Sequence, residues 1–191
     1  MKELEAVCRA IRERLAVKER VIVAIDGCCA AGKTTLAENL ANIFDCNVFH
    51  ADDFFLRPEQ RTPRRLGEVG GNIDYERFRA EVIEPLLIGK PFSYRPYDCS
   101  TQSLSAPVTV DPRPLEIVEG SYSTHPYLGK YDDLRIFMKI SPALQKERIL
   151  LRPSFLHRRF FEEWIPMEQA YFAGMEVEKN SDLVIHIKES N

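Results

Sequence analysis

The stretch that most constrains the fold of this chain is residues 27–34, which match the pattern G-x-x-x-x-G-K-[ST]. A β-branched run at residues 20–26 precedes it, and a helix is predicted for residues 33–44. Glycine permits a turn in which successive N–H groups point into one concavity, and the helix adds its positive end. Strand, turn and helix together therefore predict a cradle for the phosphates of a nucleotide, a P-loop.

The motif also predicts which residues hold the nucleotide. Lys33 is expected to contact the β- and γ-phosphates, and the Thr34 hydroxyl is expected to bind Mg²⁺. ATP and Mg²⁺ are therefore the predicted cofactors. The residues predicted to bind ATP are Gly27, Cys28, Cys29, Ala30, Ala31, Gly32, Lys33, Thr34 and Thr35.

Strands and helices alternate along the rest of the chain. This alternation predicts an α/β P-loop NTPase fold with a five-stranded, mostly parallel sheet and helices on both faces. A small β-hairpin excursion is predicted from residues 92–97 and 107–110. The other predicted strands are residues 46–50, 115–118, 134–140 and 183–187, and the other predicted helices are residues 2–17, 75–87, 142–151 and 162–178.

Composition argues against several classes of protein. The formal charge of −3 gives no general attraction to nucleic acid or to an anionic membrane. No apolar run approaches the roughly 20 residues that cross a bilayer. Five cysteines without a C-x-x-C pair argue against a disulfide framework or a structural zinc site. We therefore expect a cytoplasmic protein with reduced thiols and with neither nucleic acid nor a membrane as partner.

Carboxylates stand at the ends of two predicted strands. Asp52 and Asp53 follow the second strand, and Glu119 ends the strand before Gly120. In a parallel sheet these ends lie beside the P-loop, where a carboxylate can accept the proton of an acceptor hydroxyl or support Mg²⁺. Glu119 is predicted to hold Mg²⁺ through water. For the aspartate pair, a solvated turn remains the alternative.

The order of these segments resembles the uridine kinase and phosphoribulokinase family of P-loop kinases. The resemblance rests on AIDG…GKTT, the DDFF segment, Asn72-Ile73-Asp74 and Glu119-Gly120, and it spans about residues 21–187. It implies transfer of the γ-phosphoryl group of ATP to a hydroxyl acceptor, with Asp52 as the catalytic base. Asp53 is then left to support Mg²⁺, and Phe55 stands where uridine kinases carry a tyrosine.

The same resemblance implies residues that bind the acceptor. Asp74 matches an aspartate that holds ribose hydroxyls, and Tyr97 matches a tyrosine that lies against the nucleobase. Gln102 stands where uridine kinases carry a base-reading histidine, and a glutamine can still make two hydrogen bonds to a base. The expected acceptor is a nucleoside such as uridine or cytidine. A plain helix cap for Asp74 and hairpin packing for Tyr97 are the alternatives.

Arginines towards the C-terminus predict a lid at about residues 152–161. Arg148 and Arg152 are four residues apart and share one face of a helix. Arg152 is predicted to neutralise the transferred group and so to act with Lys33 and Asp52 in catalysis. Arg158 and Arg159 are predicted to bind substrate. A solvated basic face is the alternative for all of them.

Two further readings of the whole chain stay open. The loop after the DDFF segment carries Arg57, Arg61, Arg64 and Arg65, which could hold the phosphate or carboxylate of another small metabolite, such as a phosphosugar or a pantothenate-like acceptor. The alternative outside the class of enzymes is a nucleotide-dependent switch without kinase activity. In either case we expect a single P-loop domain over residues 1–191, with an N-terminal helix at residues 1–18, a small-molecule acceptor and possible homo-oligomers.

Overall fold

A five-stranded parallel sheet forms the centre of the molecule in this computed structural model, which describes residues 2–152 and 156–188. The strands are β1 (Val21–Gly27), β2 (Cys46–His50), β3 (Phe92–Tyr94), β4 (Tyr97–Asp98), β5 (Ser103–Leu104), β6 (Val108–Val110), β7 (Leu115–Glu119), β8 (Leu134–Ile140) and β9 (Leu183–Ile187). The order in the central sheet is β2-β7-β1-β8-β9, and all of its strand pairs are parallel.

Strand β1 lies in the middle of the sheet and is buried along its whole length. Successive side chains of a strand point to opposite faces, so complete burial shows that both faces of the sheet are covered. Ile25 of β1 is level with Glu119 of β7, and Glu119 is level with His50 of β2. The register therefore brings the carboxyl ends of these strands to one edge, beside the P-loop. The predicted α/β sheet is confirmed.

The predicted helices are present with altered bounds, and one short helix, α3, lies in the segment predicted as a loop. They are α1 (Lys2–Leu15), α2 (Lys33–Ala41), α3 (Pro63–Leu66), α4 (Tyr75–Phe78), α5 (Glu84–Ile88), α6 (Pro142–Leu150), α7 (His157–Arg159) and α8 (Ile165–Gly174). Helix α1 buries Val7, Cys8 and Ile11 in the core.

Two of the predicted helices contain a wider, π-helical turn. Arg79–Ile83 joins α4 to α5, and Phe160–Trp164 joins α7 to α8. Each turn comes just before a proline, Pro85 or Pro166, which lacks the N–H for a regular i→i−4 hydrogen bond. The helix predicted for residues 162–178 begins earlier, at His157, and ends earlier, at Gly174.

The hairpin excursion consists of two nested antiparallel strand pairs. Strand β3 pairs antiparallel with β6, and β4 pairs antiparallel with β5 inside that connection. Arg77 attaches the excursion to the end of β2, since its guanidinium donates to Asp53 O at 2.7 Å and to Arg95 O at 2.7 Å. The same guanidinium lies over the Phe54 ring. Helical spacing over residues 75–87 predicts that Arg77 faces solvent, and that prediction is wrong because these contacts leave only 10% of its side chain exposed.

Residues 57–71, predicted as a loop, contain two short helical segments, Pro58–Gln60 and α3. Arg65 organises this part of the chain. Its Nε donates to Gly71 O at 3.0 Å, its Nη2 donates to Ile73 O at 2.9 Å, and both Nη atoms donate to the Glu76 carboxylate. Arg65 therefore has a structural role.

Over residues 2–152 and 156–188, none of the helices combines the length and the apolar character that a membrane span needs.

Gly27 and Gly129 offer a matched stability test, because both have positive φ, of 138° and 76°. A Cβ at residue 27 would lie 2.2 Å from Met138 O, whereas a Cβ at residue 129 meets no atom within 4 Å. With a ψ of −173°, Gly129 lies in a region that is essentially restricted to glycine, so Gly129→Ala should lower the free energy of unfolding by about 1–3 kcal/mol through backbone strain alone. Gly27→Ala should cost about 2 kcal/mol more through overlap. Urea denaturation of both variants measures the difference, and equal losses would contradict the overlap.

Candidate active site

The P-loop leaves β1 at Gly27 and enters α2 through Gly32, which has a positive φ of 92°. The lysine of the motif lies folded against its own loop. The Lys33 side chain is buried, and its Nζ donates to Gly27 O at 2.7 Å and to Cys28 O at 3.0 Å. The turn that the motif predicts is therefore present, and its lysine lies against carbonyls of that turn.

A buried carboxylate from a distant helix completes the cradle. Glu168 of α8 accepts the P-loop N–H of Cys29 at 3.0 Å and the Ser121 hydroxyl at 2.6 Å. The Ser121 hydroxyl oxygen also lies 3.2 Å from Lys33 Nζ. Burial raises the pKa of Glu168, and the charge of Lys33 lowers it in part. Lysine, serine, carboxylate and loop amide thus form one network.

Another buried carboxylate, Asp26, holds the entrance of the P-loop. Its oxygens accept the N–H of Gly27 at 2.7 Å, of Tyr122 at 3.2 Å and of Thr124 at 3.0 Å. They also accept the hydroxyls of Thr124 at 2.7 Å and Tyr171 at 2.9 Å. This single side chain joins the end of β1, the loop after β7 and α8.

Beside the P-loop lies a group built on Glu119, at the end of β7. Its Oε1 accepts the Thr34 hydroxyl at 3.1 Å and lies 2.6 Å from His50 Nδ1. The hydrogen bond to Glu119 raises the pKa of His50, although burial opposes the shift. Thr34 and Glu119, which the sequence predicts as Mg²⁺ ligands, are therefore brought together.

This donor set fits Mg²⁺. A hydroxyl and carboxylates are hard oxygen donors, and Mg²⁺ in nucleotide sites commonly uses one or two carboxylates together with phosphate oxygens. In the described part of the chain, no cluster of three or more His, Cys, Asp or Glu residues could hold a metal by itself.

Asp52 and Asp53 lie in the 3₁₀ turn Ala51–Phe54 that follows β2. Asp52 is open to solvent, yet protein surrounds it on most sides. This environment raises the pKa of the Asp52 carboxyl, while Lys33 lowers it and Glu119 raises it. Burial likewise raises the pKa of Asp53. Asp52 is therefore a carboxylate of raised basicity near Lys33 and Glu119.

Asp74 is buried at the start of α4 and caps that helix. Its Oδ1 accepts the N–H of Arg77 at 3.1 Å, and its Oδ2 accepts Gln60 Nε2 at 2.8 Å. It also lines a cavity of about 400 Å³ whose lining contains neither Lys33 nor Asp52. The helix-capping role is present, and the hydroxyl-binding role of Asp74 stays a prediction.

The excursion carries the two other residues predicted to bind the acceptor. Tyr97 is 4% exposed, and its hydroxyl has no hydrogen-bond partner within residues 2–152 and 156–188. Gln102 lies exposed at the tip of the β4–β5 hairpin with a φ of 53°. Next to it, the pKa of Cys99 is raised by burial, lowered by Arg61 and raised by Asp52. The hairpin tip thus lies near both Asp52 and the arginine-containing loop.

The arginines of the predicted lid divide into two sets. Arg148 Nη1 donates to Ala30 O of the P-loop at 3.2 Å, and Arg152 is near enough to lower the pKa of Asp52. Arg158 and Arg159 are exposed and pair along their own helix with Glu162 and Glu163, at 2.7 Å and 3.0 Å. Within the predicted lid, residues 153–155 lie outside the described residues, so the lid stays a prediction.

Several residues of this site are not among those predicted from the sequence. His50 had a local signal, because it stands two residues before Asp52 at a strand end. Ser121 directly follows the Glu119-Gly120 pair. Asp26 lies in the AIDG segment directly before Gly27, but its partners Tyr122, Thr124 and Tyr171 are far away in the chain. Glu168 has no comparable signal in the sequence.

The arrangement is similar to that of known kinases in structure. No family model matches the sequence, and no curated protein matches it. A possible uridine kinase from Bacillus stearothermophilus superimposes with a TM-score of 0.71 at 22% identity, over 97% of this chain and 100% of that chain. D-glycerate 3-kinase from Cryptococcus neoformans superimposes with a TM-score of 0.66 at 13% identity, over 99% of this chain and 96% of that chain. For phosphoribulokinase from Rhodobacter spheroides the TM-score is 0.58 at 12% identity, over 91% and 73%.

The chain therefore has the fold of the P-loop kinases, as its motif and alternating elements predict. At these identities the likeness is one of fold. The names of the similar structures include different acceptors, so the fold by itself does not specify one.

Asp26→Asn should destabilise the protein. An amide places an NH₂ group among donors that now face a carboxylate, so buried donors lose their acceptor. We expect the free energy of unfolding to fall by about 2–4 kcal/mol. Asp45→Asn, at an exposed surface pair, is the control and should change it by no more than about 0.5 kcal/mol. Similar urea midpoints for the two variants would contradict the assigned role of Asp26.

Proposed function

We propose that the protein is an ATP-dependent kinase that transfers the γ-phosphoryl group to a hydroxyl of a small molecule. The observation that carries the proposal is the convergence of Lys33, Glu119 and Asp52 at one edge of the sheet. Lys33 belongs to the P-loop, Glu119 bonds Thr34 of the same motif, and Asp52 lies within the electrostatic influence of both. A cation, a metal-supporting carboxylate and a base are what phosphoryl transfer to a hydroxyl needs.

Each residue has a separable task in this proposal. Lys33 moves from the carbonyls of its own loop to the phosphates, where the loop amides also bind. Asp52, whose pKa is raised, accepts the proton of the acceptor hydroxyl and orients its oxygen for in-line attack. Arg152 and Arg148 supply positive charge for the transferred group, because a guanidinium can bind two phosphate oxygens at once.

Magnesium would be held by Thr34 and by Glu119, with Asp53 near the same edge, and when bound it neutralises charge on the β- and γ-phosphates. The chain prepares this position by holding the Glu119 carboxylate between Thr34 and His50.

The preferred acceptor is a nucleoside such as uridine or cytidine. The proposal is supported by the matching positions of Asp74, Tyr97 and Gln102, and by the similar fold of a possible uridine kinase. A ribose hydroxyl would replace the hydrogen bond from Gln60 to Asp74. Tyr97 contributes from within the excursion, where its hydroxyl lacks a partner among the described residues.

An anionic acceptor, such as a phosphosugar or a pantothenate-like carboxylate, is the second candidate. One observation favours it. Arg64 lines the cavity that contains Asp74, and its side chain makes no hydrogen bond or ion pair within the described residues. The nearby Arg61 keeps its terminal nitrogens free of such partners in the same part of the chain, while its Nε donates to Leu56 O.

An acceptor screen tests the proposal. Purified protein, ATP and Mg²⁺ are incubated with nucleosides, phosphosugars and pantothenate, and ADP release is followed. Release that depends on uridine or cytidine supports the nucleoside, and release that depends on an anionic compound supports the second candidate. Protein that binds ATP but releases no ADP with any acceptor would favour a nucleotide-dependent switch.

Asp52→Asn should separate catalysis from binding. The amide cannot accept the proton, so kcat should fall about 100-fold or more, while the affinity for a non-hydrolysable ATP analogue stays within about twofold. Lys33→Ala should instead weaken both analogue binding and turnover. Initial rates and calorimetric titration provide the two measurements. Exposed Asp111→Asn is the control, and an unchanged kcat for Asp52→Asn would rule out its assignment as base.

Glu119→Gln should affect the demand for magnesium. Loss of the carboxylate's charge should raise the Mg²⁺ concentration for half-maximal rate by about tenfold or more. Rates are measured over a range of Mg²⁺ at saturating ATP, after removal of metal with a chelator. Glu147→Gln, an exposed glutamate on α6, is the matched control. An identical Mg²⁺ dependence in the Glu119→Gln protein would mean that the ion is held elsewhere.

A further inference from the structure

Glu168 is a buried acid in the phosphate cradle, and the proposed mechanism gives it no task. It is 5% exposed and projects from α8 towards the P-loop. A buried charge is tolerated only with partners. Its partners are a P-loop N–H, that of Cys29, and the hydroxyl of Ser121.

The partners of Glu168 are groups that a phosphate would use. P-loop N–H groups bind phosphate oxygens, and the P-loop lysine contacts the β- and γ-phosphates. The Ser121 hydroxyl oxygen lies 2.6 Å from Glu168 Oε1 and 3.2 Å from Lys33 Nζ. The carboxylate is therefore one hydroxyl away from the lysine ammonium. This position puts Glu168 on the side of the terminal phosphates of a bound nucleotide and not on the side of its nucleobase.

The position of Lys33 agrees with this interpretation. Its Nζ donates to Gly27 O and Cys28 O, carbonyls of its own loop, so it is folded back from the cradle. A nearby negative charge stabilises that arrangement, and within the described residues Glu168 is the acid linked to Lys33 through a single side chain. The carboxylate thus provides the negative charge that a phosphate would provide.

We propose that Glu168 is a positioning residue that occupies the γ-phosphate end of the cradle in the nucleotide-free protein and is displaced when a nucleoside triphosphate binds. The inference rests on the proposed binding of ATP. The displacement would affect the binding of nucleoside triphosphates and diphosphates to different extents. Because like charges repel at short distance in a partly buried site, Glu168 opposes a γ-phosphate more strongly than it opposes a nucleoside diphosphate.

The chain contains its own reporter for this displacement. Trp164 is the single tryptophan, and it lies four residues before Glu168 in the same continuous helical segment. Its ring packs edge-on against Phe160 and lies under the Arg159 guanidinium. When Glu168 leaves the P-loop, α8 keeps its attachment through Tyr171 and Asp26 but loses the contact of Glu168 with Cys29, which lies nearer to Trp164 along the helix. We therefore expect the surroundings of Trp164 to change.

The experiment compares ADP with the non-hydrolysable analogue AMP-PNP, each with Mg²⁺, in calorimetric titrations. The proteins are wild type, Glu168→Gln and Glu13→Gln, an exposed glutamate of α1 that serves as control. Glu168→Gln keeps the shape and removes the charge. We expect it to tighten AMP-PNP binding by about tenfold and to change ADP binding by less than about twofold. The control should match wild type for both ligands.

Trp164 emission in the wild type needs no variant, so the test holds even if Glu168→Gln folds poorly. AMP-PNP should change the emission, and ADP should leave it close to that of the free protein. Equal effects of the two nucleotides on emission, or equal changes in their affinities in Glu168→Gln, would overturn this inference alone. A wild-type protein that binds neither nucleotide would overturn the proposed function together with it.

Discussion

The interaction on which the site depends most is the set of hydrogen bonds around Asp26. Its carboxylate has no exposed surface, and the donors that satisfy it come from three separate parts of the chain. Through it the first residue of the P-loop, the loop after β7 and helix α8 keep fixed positions relative to one another. Ser121 and Glu168 belong to the last two, so their contacts with the cradle depend on Asp26 as well.

Parallel strand pairing fixes the relative positions of the reactive side chains, as Asp26 fixes the position of the P-loop. His50 and Glu119 are level on neighbouring strands, and Glu119 is level with Ile25 of the central strand. Side chains that are far apart in the chain therefore meet at one edge of the sheet. The cost of placing several acids together is met by Lys33, His50 and nearby arginines, which is why the pKa shifts in this region have opposing causes.

The similar structures indicate which parts of the molecule the fold controls. A TM-score of 0.71 at 22% identity shows that the sheet and its helices persist through extensive sequence change. Such persistence is expected where buried apolar positions and the P-loop turn specify the backbone. The excursion and the arginine-containing loop connect elements of that sheet, and they carry Tyr97, Gln102 and Arg64. The residues proposed to select an acceptor therefore lie in connections between the core elements.

The sequence by itself determined the P-loop turn and the positions of the strands along the chain, because both depend on local patterns. A glycine-lysine motif between a β-branched run and a helix needs no distant information, and strands β8 and β9 match their predicted bounds. Only the tertiary structure decided the surroundings of the cradle. Glu168 reaches Cys29 across 139 positions and Tyr171 reaches Asp26 across 145, contacts set by the packing of α8 rather than by any local pattern. The burial of Arg77 has the same origin, since helical periodicity cannot show what packs against a helix.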